Sequence, residues 1–333
     1  MSEREAMDRE RILEMTAGFQ APCVIGAAAE LDLFAALDQE PAPVETIAER
    51  LHTDRRATAM LLDALVALEL IEKQGECYAI SPEIRSLLVH DSPRTILPGI
   101  LHRLNVLRSW SQLAWVTKAG IPCPRQASIR GPAADRAVFV GAMHTYSGQV
   151  VDELVARLGP PKFRHLLDVG GASGTWTLSF LRAVPGATAT VFDLPDAIAQ
   201  ARRRIGQSES ADRIDLVAGD FYEGDLPAGA DYAWLGAIVH QHSRAHNRAL
   251  FAKVHAALEP GGTVAVRDVV MEPCRTRPAA GALFAINMLV NTESGGTFTF
   301  DELAEDLQAA GFSDAELAVR ADDMNSVVTA RKG

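Results

Sequence analysis

Cysteine is scarce and scattered in this 333-residue chain. Cys23, Cys77, Cys123 and Cys274 are the only four, and no two lie closer than about 46 positions. With no CxxC pair, zinc ribbons and dithiol redox motifs drop out. Isolated thiols fit a reducing cytosol. Long apolar runs are missing too: none approaches the roughly 18 residues a membrane span needs. The opening MSEREAMDRERILEM is charged and lacks a hydrophobic h-region, so it does not read as a secretory signal. Positive charge is in deficit, with 32 Lys+Arg against 43 Asp+Glu and a formal net charge of −11. That balance speaks against nucleic acid as a partner, because phosphate neutralisation supplies much of such affinity. It speaks equally against an anionic membrane surface. There is no internal repeat and no low-complexity tract. These absences suggest a soluble, cytoplasmic protein. What is present, 48% hydrophobic and 23% charged residues, is an ordinary globular mix. The length suits two domains, or one large domain with an appendage.

Residues 8–38 carry apolar positions at helical spacing, among them Ile12, Leu13, Phe19, Ile25, Leu31 and Phe34, and Pro41 and Pro43 end the block. VETIAERL reads as a short helix. Asp54 is placed to cap the next, RRATAMLLDALVALELI. EKQGECYAIS alternates around Gly75 and suggests a two-stranded wing. Helix, helix, wing is the winged-helix pattern, whose usual use is DNA reading. Residues 40–90 hold nine Asp/Glu against five Lys/Arg, and the recognition-helix position is mostly apolar. Dimerisation is therefore the better expectation than DNA binding. Residues 93–160 look helical but broken, with a Pro/Gly-rich loop at IPCPRQASIRGP. AVFVGAMHTYSGQVVDELVARLG reads as one helix ending at Gly159.

From residue 165 strands and helices alternate. HLLDVGG, ATATVFDLP, IDLVAGD, YAWLGAIVH (a strand, or a strand plus a turn) and TVAVRDVVM are the strands, with helices TWTLSFLRAV, AIAQARRRIG and HNRALFAKVHAAL between them. This predicts an α/β fold with a parallel, doubly wound, Rossmann-like sheet. The expected domains are 1–95 (winged helix), 96–160 (helical linker and active-site cover) and 161–333 (nucleotide-binding and catalytic). Ligands in such sheets sit at the carboxyl ends of strands. Asp168–Gly174, Asp193, Asp220 and His240 all fall there.

Which nucleotide binds is a question of charge. A dinucleotide site needs GxGxxG and places a pyrophosphate on the helix N-terminus. Here the turn is Gly170-Gly171-Ala172-Ser173-Gly174, preceded by Asp168. A carboxylate repels a pyrophosphate but suits the cationic methionyl end of S-adenosylmethionine (SAM). Asp193 can accept from two ribose hydroxyls. Asp220 can accept from the adenine amino group while Phe221 packs on the ring. Any one of these acids alone would read as a helix cap; three at successive strand ends read as a site.

The run LLDVGGASG, VFDLP, VAGDFY, ALEPGGTVAVRDVV and GGTFTFDELAEDLQAAGF resembles the class I SAM-dependent methyltransferases. More narrowly it resembles the small-molecule O-methyltransferases of the caffeate, acetylserotonin and hydroxyneurosporene type. The resemblance covers most of the chain and implies a winged-helix N-terminal domain that dimerises and closes the partner's active site. It implies that Gly170, Gly171, Gly174, Asp193, Leu194, Asp220 and Phe221 hold SAM, with Asp168 beside them. Met143 and Ser147, in AMHTYS, would touch substrate and cofactor respectively; Met143 also reads as core filler. The product would be S-adenosylhomocysteine (SAH).

Methyl transfer from a sulfonium to a phenol or enol needs an oxygen held in line and a base for its proton. The family spacing from Asp231 implies that His240 is this base and that Asp268 orients it, with His242 a rival. The sequence departs from the pattern in three places. His-Asp-Trp is His240-Gln241-His242 here, a frequent Lys/Arg position is Gly236, and the second family acid has no counterpart, Thr297 falling nearest. Those departures keep open a SAM-binding relative that decarboxylates or hydroxylates. A SAM-sensing winged-helix regulator is a third reading. No metal is expected: His240, His242 and His246 lack a partner Cys or carboxylate at ligand spacing. The substrate pocket is expected from residues 97–150 and 283–299, including Trp110, Met143, Phe284, Met288 and Asn291. Its apolar character suits a small aromatic or polyketide-like hydroxyl compound.

Overall fold

The computed structural model describes residues 7–37, 40–159 and 161–333. The start of the expected first domain and the last residue of the 8–38 helical block lie outside them. The chain divides into two compact units, residues 1–107 with 126–145, and residues 108–125 with 146–333. The expected 96–160 segment is thus shared between them.

The first unit opens with α1 (Arg9–Ala17), α2 (Gln20–Glu30) and α3 (Leu33–Ala36). Arg9–Glu30 is, by length and composition, long and apolar enough to cross a membrane, at mean hydropathy 1.3. This corrects the expectation that no run comes close. Its charges cluster at Arg9, Glu10, Arg11 and Glu14, and none follows until Glu30. The stretch breaks between α1 and α2, and Gly26, Ala28 and Ala29 of α2 are buried. β1 (Ala42–Pro43), α4 (Val44–Leu51), α5 (Arg55–Ala67), β2 (Glu72–Gln74) and β3 (Cys77–Ala79) follow. Asp54 caps α5 by accepting from the Ala57 amide at 2.8 Å. The wing turns at Gly75 (φ +62°), a conformation that favours glycine. β1 was not foreseen; it adds to the wing in the order β1-β3-β2. α6 (Pro82–Leu88) and most of α7 (Leu97–Trp110) complete a core of Leu33, Phe34, Ile47, Leu62, Leu65 and Leu101.

α8 (Leu113–Ala119) belongs to the second unit. The single helix expected over 137–159 is two, α9 (Pro132–Ser147) and α10 (Val151–Arg157). Apolar spacing continues across the gap, but Gly148 and Gln149 are exposed and offer no buried face to continue on.

The sheet is built from β4 (His165–Val169), β5 (Thr188–Asp193), β6 (Ile214–Ala218), β7 (Ala230–Gly236) and β8 (Leu258–Asp268), with helices α11 (Thr175–Ala183), α12 (Pro195–Ile205) and α13 (Arg244–Ala257). β9 (Val270–Met271) pairs with β10 (Phe298–Thr299), flanking α14 (Ala279–Asn291). α15 (Phe300–Ala309), β11 (Phe312–Val319) and β12 (Ser326–Lys332) end the chain. The order is β11-β12-β8-β7-β4-β5-β6. β4 to β8 are parallel as expected, but β12 runs antiparallel to β8 and β11 to β12. The sheet is therefore mixed, because the last two strands form a hairpin that needs no crossover helix. One face packs Leu167, Leu235 and Val266 against Phe251 and Val254 of α13 and Leu307 of α15. The other packs Leu166 and Trp234 against Trp176 and Phe180 of α11. Strand order reverses between β4 and β7, which opens a crevice at their carboxyl ends.

Candidate active site

The crevice is lined first by the turn after β4. Gly170 sits at φ +68°, and a side chain there would strike Ile238 Cδ1 at 2.4 Å. A side chain at Gly171 would strike the Asp168 carboxyl carbon at 2.8 Å. The loop therefore closes directly over Asp168. Gly174 leads into α11. Ala172 takes a left-handed φ of +46°, where a Cβ is disfavoured, and its amide donates to Asp193 Oδ2 at 2.7 Å.

Asp168 is 1% exposed and accepts one side-chain bond, from Thr177 Oγ1 at 2.6 Å. Burial pushes its carboxyl up to about 7 against the effect of Thr177, and the Asp193 charge adds to the rise. It is a desolvated acid with no cation paired to it among the described residues. Asp193 ends β5 and accepts from Ala172 N and Leu194 N, both at 2.7 Å. Each oxygen keeps a further lone pair for a ligand hydroxyl, and burial raises this carboxyl as well. Leu194 is exposed. Asp220 accepts from the Tyr222 amide at 2.8 Å, and Phe221 is half-buried beside it. An open depression of about 530 Å³ lies next to Asp220, lined by Phe192, Val217, Gly219, Leu226 and Pro227 among others.

His240 hangs in a 3-10 turn just past β7, 6% exposed. Its Nδ1 meets both oxygens of Asp268, at 2.8 and 3.0 Å. Asp268 ends β8, is 2% exposed, and also accepts from the amides of Val269 (2.8 Å) and His240 (3.3 Å). A carboxylate so placed keeps the proton on Nδ1 and leaves Nε2 as the basic nitrogen. Phe284 of α14 sets its ring edge-on to the imidazole at 4.8 Å. The Gly295-Gly296 pair also holds the turn: Gly296 N donates to His240 O at 2.8 Å, and a Cβ on Gly295 would lie 2.5 Å from that oxygen.

His242 is differently placed. Its imidazole bonds to Tyr222 Oη, not to an acid. Burial, with the charges of His240 and His246, pushes it down to about 4. His246 bonds Ser243 Oγ at 2.9 Å. No group of His, Cys, Asp and Glu side chains able to hold a metal occurs among the described residues. Gly236 has no room for the long cation often found there, since Trp234 Nε1 lies 2.6 Å from where its Cβ would be. Arg267, in register with Gly236, instead stacks over Trp176 at 4.6 Å and bonds Asn325. Thr297 is buried and its carbonyl accepts from Arg275 at 2.8 Å.

Of the substrate-side residues, Phe284 lies against His240 and Met288 is buried at 5% exposure. Asn291 donates to Asn287 O and Oδ1, at 2.9 and 3.0 Å, and Trp110 Nε1 donates to the same Oδ1 at 2.9 Å. Asn287 therefore organises the polar side of α14, although the sequence reading passed over it. The available signal was a lone Asn four positions before Asn291 in an otherwise apolar helix. Met143 is half-buried in the first unit, and Ser147 closes α9 in the second.

A Rossmann-like sheet with a glycine turn over a carboxylate, acids at the next two strand ends and a His-Asp pair past β7 and β8 defines a SAM-dependent methyltransferase. A family model for the O-methyltransferase domain matches residues 105–313, and one for the O-methyltransferase dimerisation domain matches residues 13–89. The chain is 33% identical to the tetracenomycin polyketide synthesis 8-O-methyl transferase TcmO of Streptomyces glaucescens, with 91% of each chain covered. It is 29% identical to 3-hydroxy-5-methyl-1-naphthoate 3-O-methyltransferase of Streptomyces sahachiroi, over 91% of this chain and 89% of that one. The crystal structure of human N-acetylserotonin methyltransferase in complex with SAM shares its fold at TM-score 0.79 and 24% identity, with both chains covered in full. The protein belongs to the O-methyltransferase family, uses SAM, and carries that family's dimerisation domain.

Proposed function

We propose that the protein moves the methyl group of SAM to a phenolic or enolic hydroxyl of a small, largely apolar aromatic compound, with His240 as general base. The buried His240–Asp268 pair is the observation that carries this reading. When bound, SAM supplies an activated methyl on a sulfonium. The chain's own residues do the rest. Asp168 faces the methionyl ammonium, Asp193 takes the ribose, and Asp220 with Phe221 takes the adenine. Desolvated Asp168, with no cation paired to it among the described residues, fits such a ligand. His240 Nε2 withdraws the hydroxyl proton, and Asp268 stabilises the imidazolium as it forms. His242 suits the role poorly, because Tyr222 occupies it and burial lowers its basicity.

The polyketide and naphthoate specificities in the relatives' names support a fused aromatic substrate. The dimerisation domain supports a homodimer assembled through the first unit, and the relatives' names support a small molecule as substrate. Labelled SAM offered with a panel of hydroxylated naphthoates and anthraquinones tests the reading. His240→Ala is expected to lose about 10²- to 10⁴-fold in kcat while binding SAH as wild type does. Equal rates for wild type and variant would remove His240 from the role. SAM binding with no methyl transfer to any member of the panel would remove the activity.

A further inference from the structure

Residues 220–224 are tied to α13 and to the residues just before it at two separated points. Lys253 Nζ, in the later half of the helix, donates to the carbonyls of Phe221 (2.6 Å), Tyr222 (3.3 Å) and Gly224 (2.8 Å). At the other end, ahead of the first helical turn, Tyr222 Oη bonds His242 Nδ1 and lies 3.3 Å from Nε2. His242 is two residues beyond His240. The rings close around this bond, with Phe221 and Tyr222 edge-on to His242 at 5.7 and 5.2 Å, and Tyr222 edge-on to His246 at 5.9 Å. The Tyr222 amide in turn donates to Asp220 Oδ1. A continuous chain of contacts therefore runs from Asp220 through Tyr222 and His242 to the turn that carries the base.

We propose that Tyr222 is a positioning residue whose bond to His242 holds Asp220 and Phe221 in place for the adenine end of SAM. The proposal rests on the assignment of Asp220 and Phe221 to the nucleoside. Half of Tyr222 is exposed while His242 is 9% exposed, so the phenol reaches inward to a buried imidazole rather than filling a core. His242 stays neutral at pH 7, so its imidazole remains able to accept from the hydroxyl. Removing that hydroxyl leaves the ring contacts and the Lys253 clamp in place. Only the tie between the nucleoside segment and the base turn is lost.

The experiment is calorimetric binding of SAH and of S-inosylhomocysteine, in which the adenine amino group is a carbonyl, to the full chain. Wild type is expected to prefer SAH. Tyr222→Phe is expected to raise the Kd for SAH about three- to tenfold, the worth of one hydrogen bond, and to narrow the preference. His242→Phe should do the same, and His242→Gln, which keeps an acceptor, should restore both. Asp220→Ala is the control and should abolish the preference. A preference that survives Asp220→Ala overturns the nucleoside assignment and the proposal with it. A preference lost in Asp220→Ala but unchanged in Tyr222→Phe overturns the positioning role alone. So does equal weakening of both ligands by Tyr222→Phe.

Discussion

Asp168→Asn should make the ligand-free protein more stable and the liganded one harder to form. The carboxyl is pushed up to about 7 by burial at 1% exposure, against about 3.9 in an unfolded chain. That gap of about three units corresponds to about 4 kcal/mol, with almost no solvent contact to screen it. The sign follows from proton counting. Between pH 4 and 7 the folded chain holds this proton and the unfolded chain does not, so stability falls as pH rises through that window and levels off above it. The amide has the same shape and no charge to desolvate. Its new N–H donors offset part of the gain, about 1–3 kcal/mol if they find no partner. The expected net is a stabilisation of about 1–3 kcal/mol at pH 8 that shrinks towards pH 5. Urea unfolding at the two pH values measures it. SAH affinity should fall about tenfold or more, the worth of a charge-assisted bond to the methionyl ammonium. A loss of stability at pH 8, or an unchanged SAH affinity, would refute the reasoning.

Two further substitutions separate roles within the site. Asp268→Asn should cut kcat by about 10²-fold or more, because an amide no longer enforces the Nδ1–H tautomer; calorimetry should find SAH binding unchanged. Ala172→Gly removes a left-handed Cβ that costs about 1–2 kcal/mol and adds unfolded-state entropy of about 0.4–1 kcal/mol. A small rise in Tm is expected, visible by scanning calorimetry, and a fall would show that the Ala172 methyl makes contacts worth more than the strain.

Sequence pattern revealed most of the second unit because burial on both faces imposes near-continuous apolar strands between amphipathic helices. The acids at the strand ends stood out against that background. His240 and its partner Asp268 came from the resemblance to the O-methyltransferases, which implies a base and an orienting acid at those positions. The C-terminal hairpin was less visible, since FSDAELAV carries only weak alternation and antiparallel pairing leaves no crossover helix as a signal. The gap between α9 and α10 is a matter of what the chain can pack against at Gly148, which local periodicity does not encode. Asn287 and Tyr222 were missed for a related reason. Each acts through partners far away in sequence, Trp110 and His242, and nothing in AINML or GDFYE names that partner.

The way the His240 turn is fastened bears on how this scaffold acquires new substrates. Its backbone is fixed by Gly296, in the loop between α14 and β10, and its ring by Asp268, at the end of β8. α14 adds only the edge of Phe284 to the ring. The imidazole nitrogen proposed to react is thus tied through Nδ1 to the sheet, at Asp268, rather than to the helix that carries Phe284, Asn287 and Asn291. On the proposed roles, substitutions along that helix change what is recognised while the base keeps its acid partner, so specificity drifts without loss of the His240–Asp268 pair.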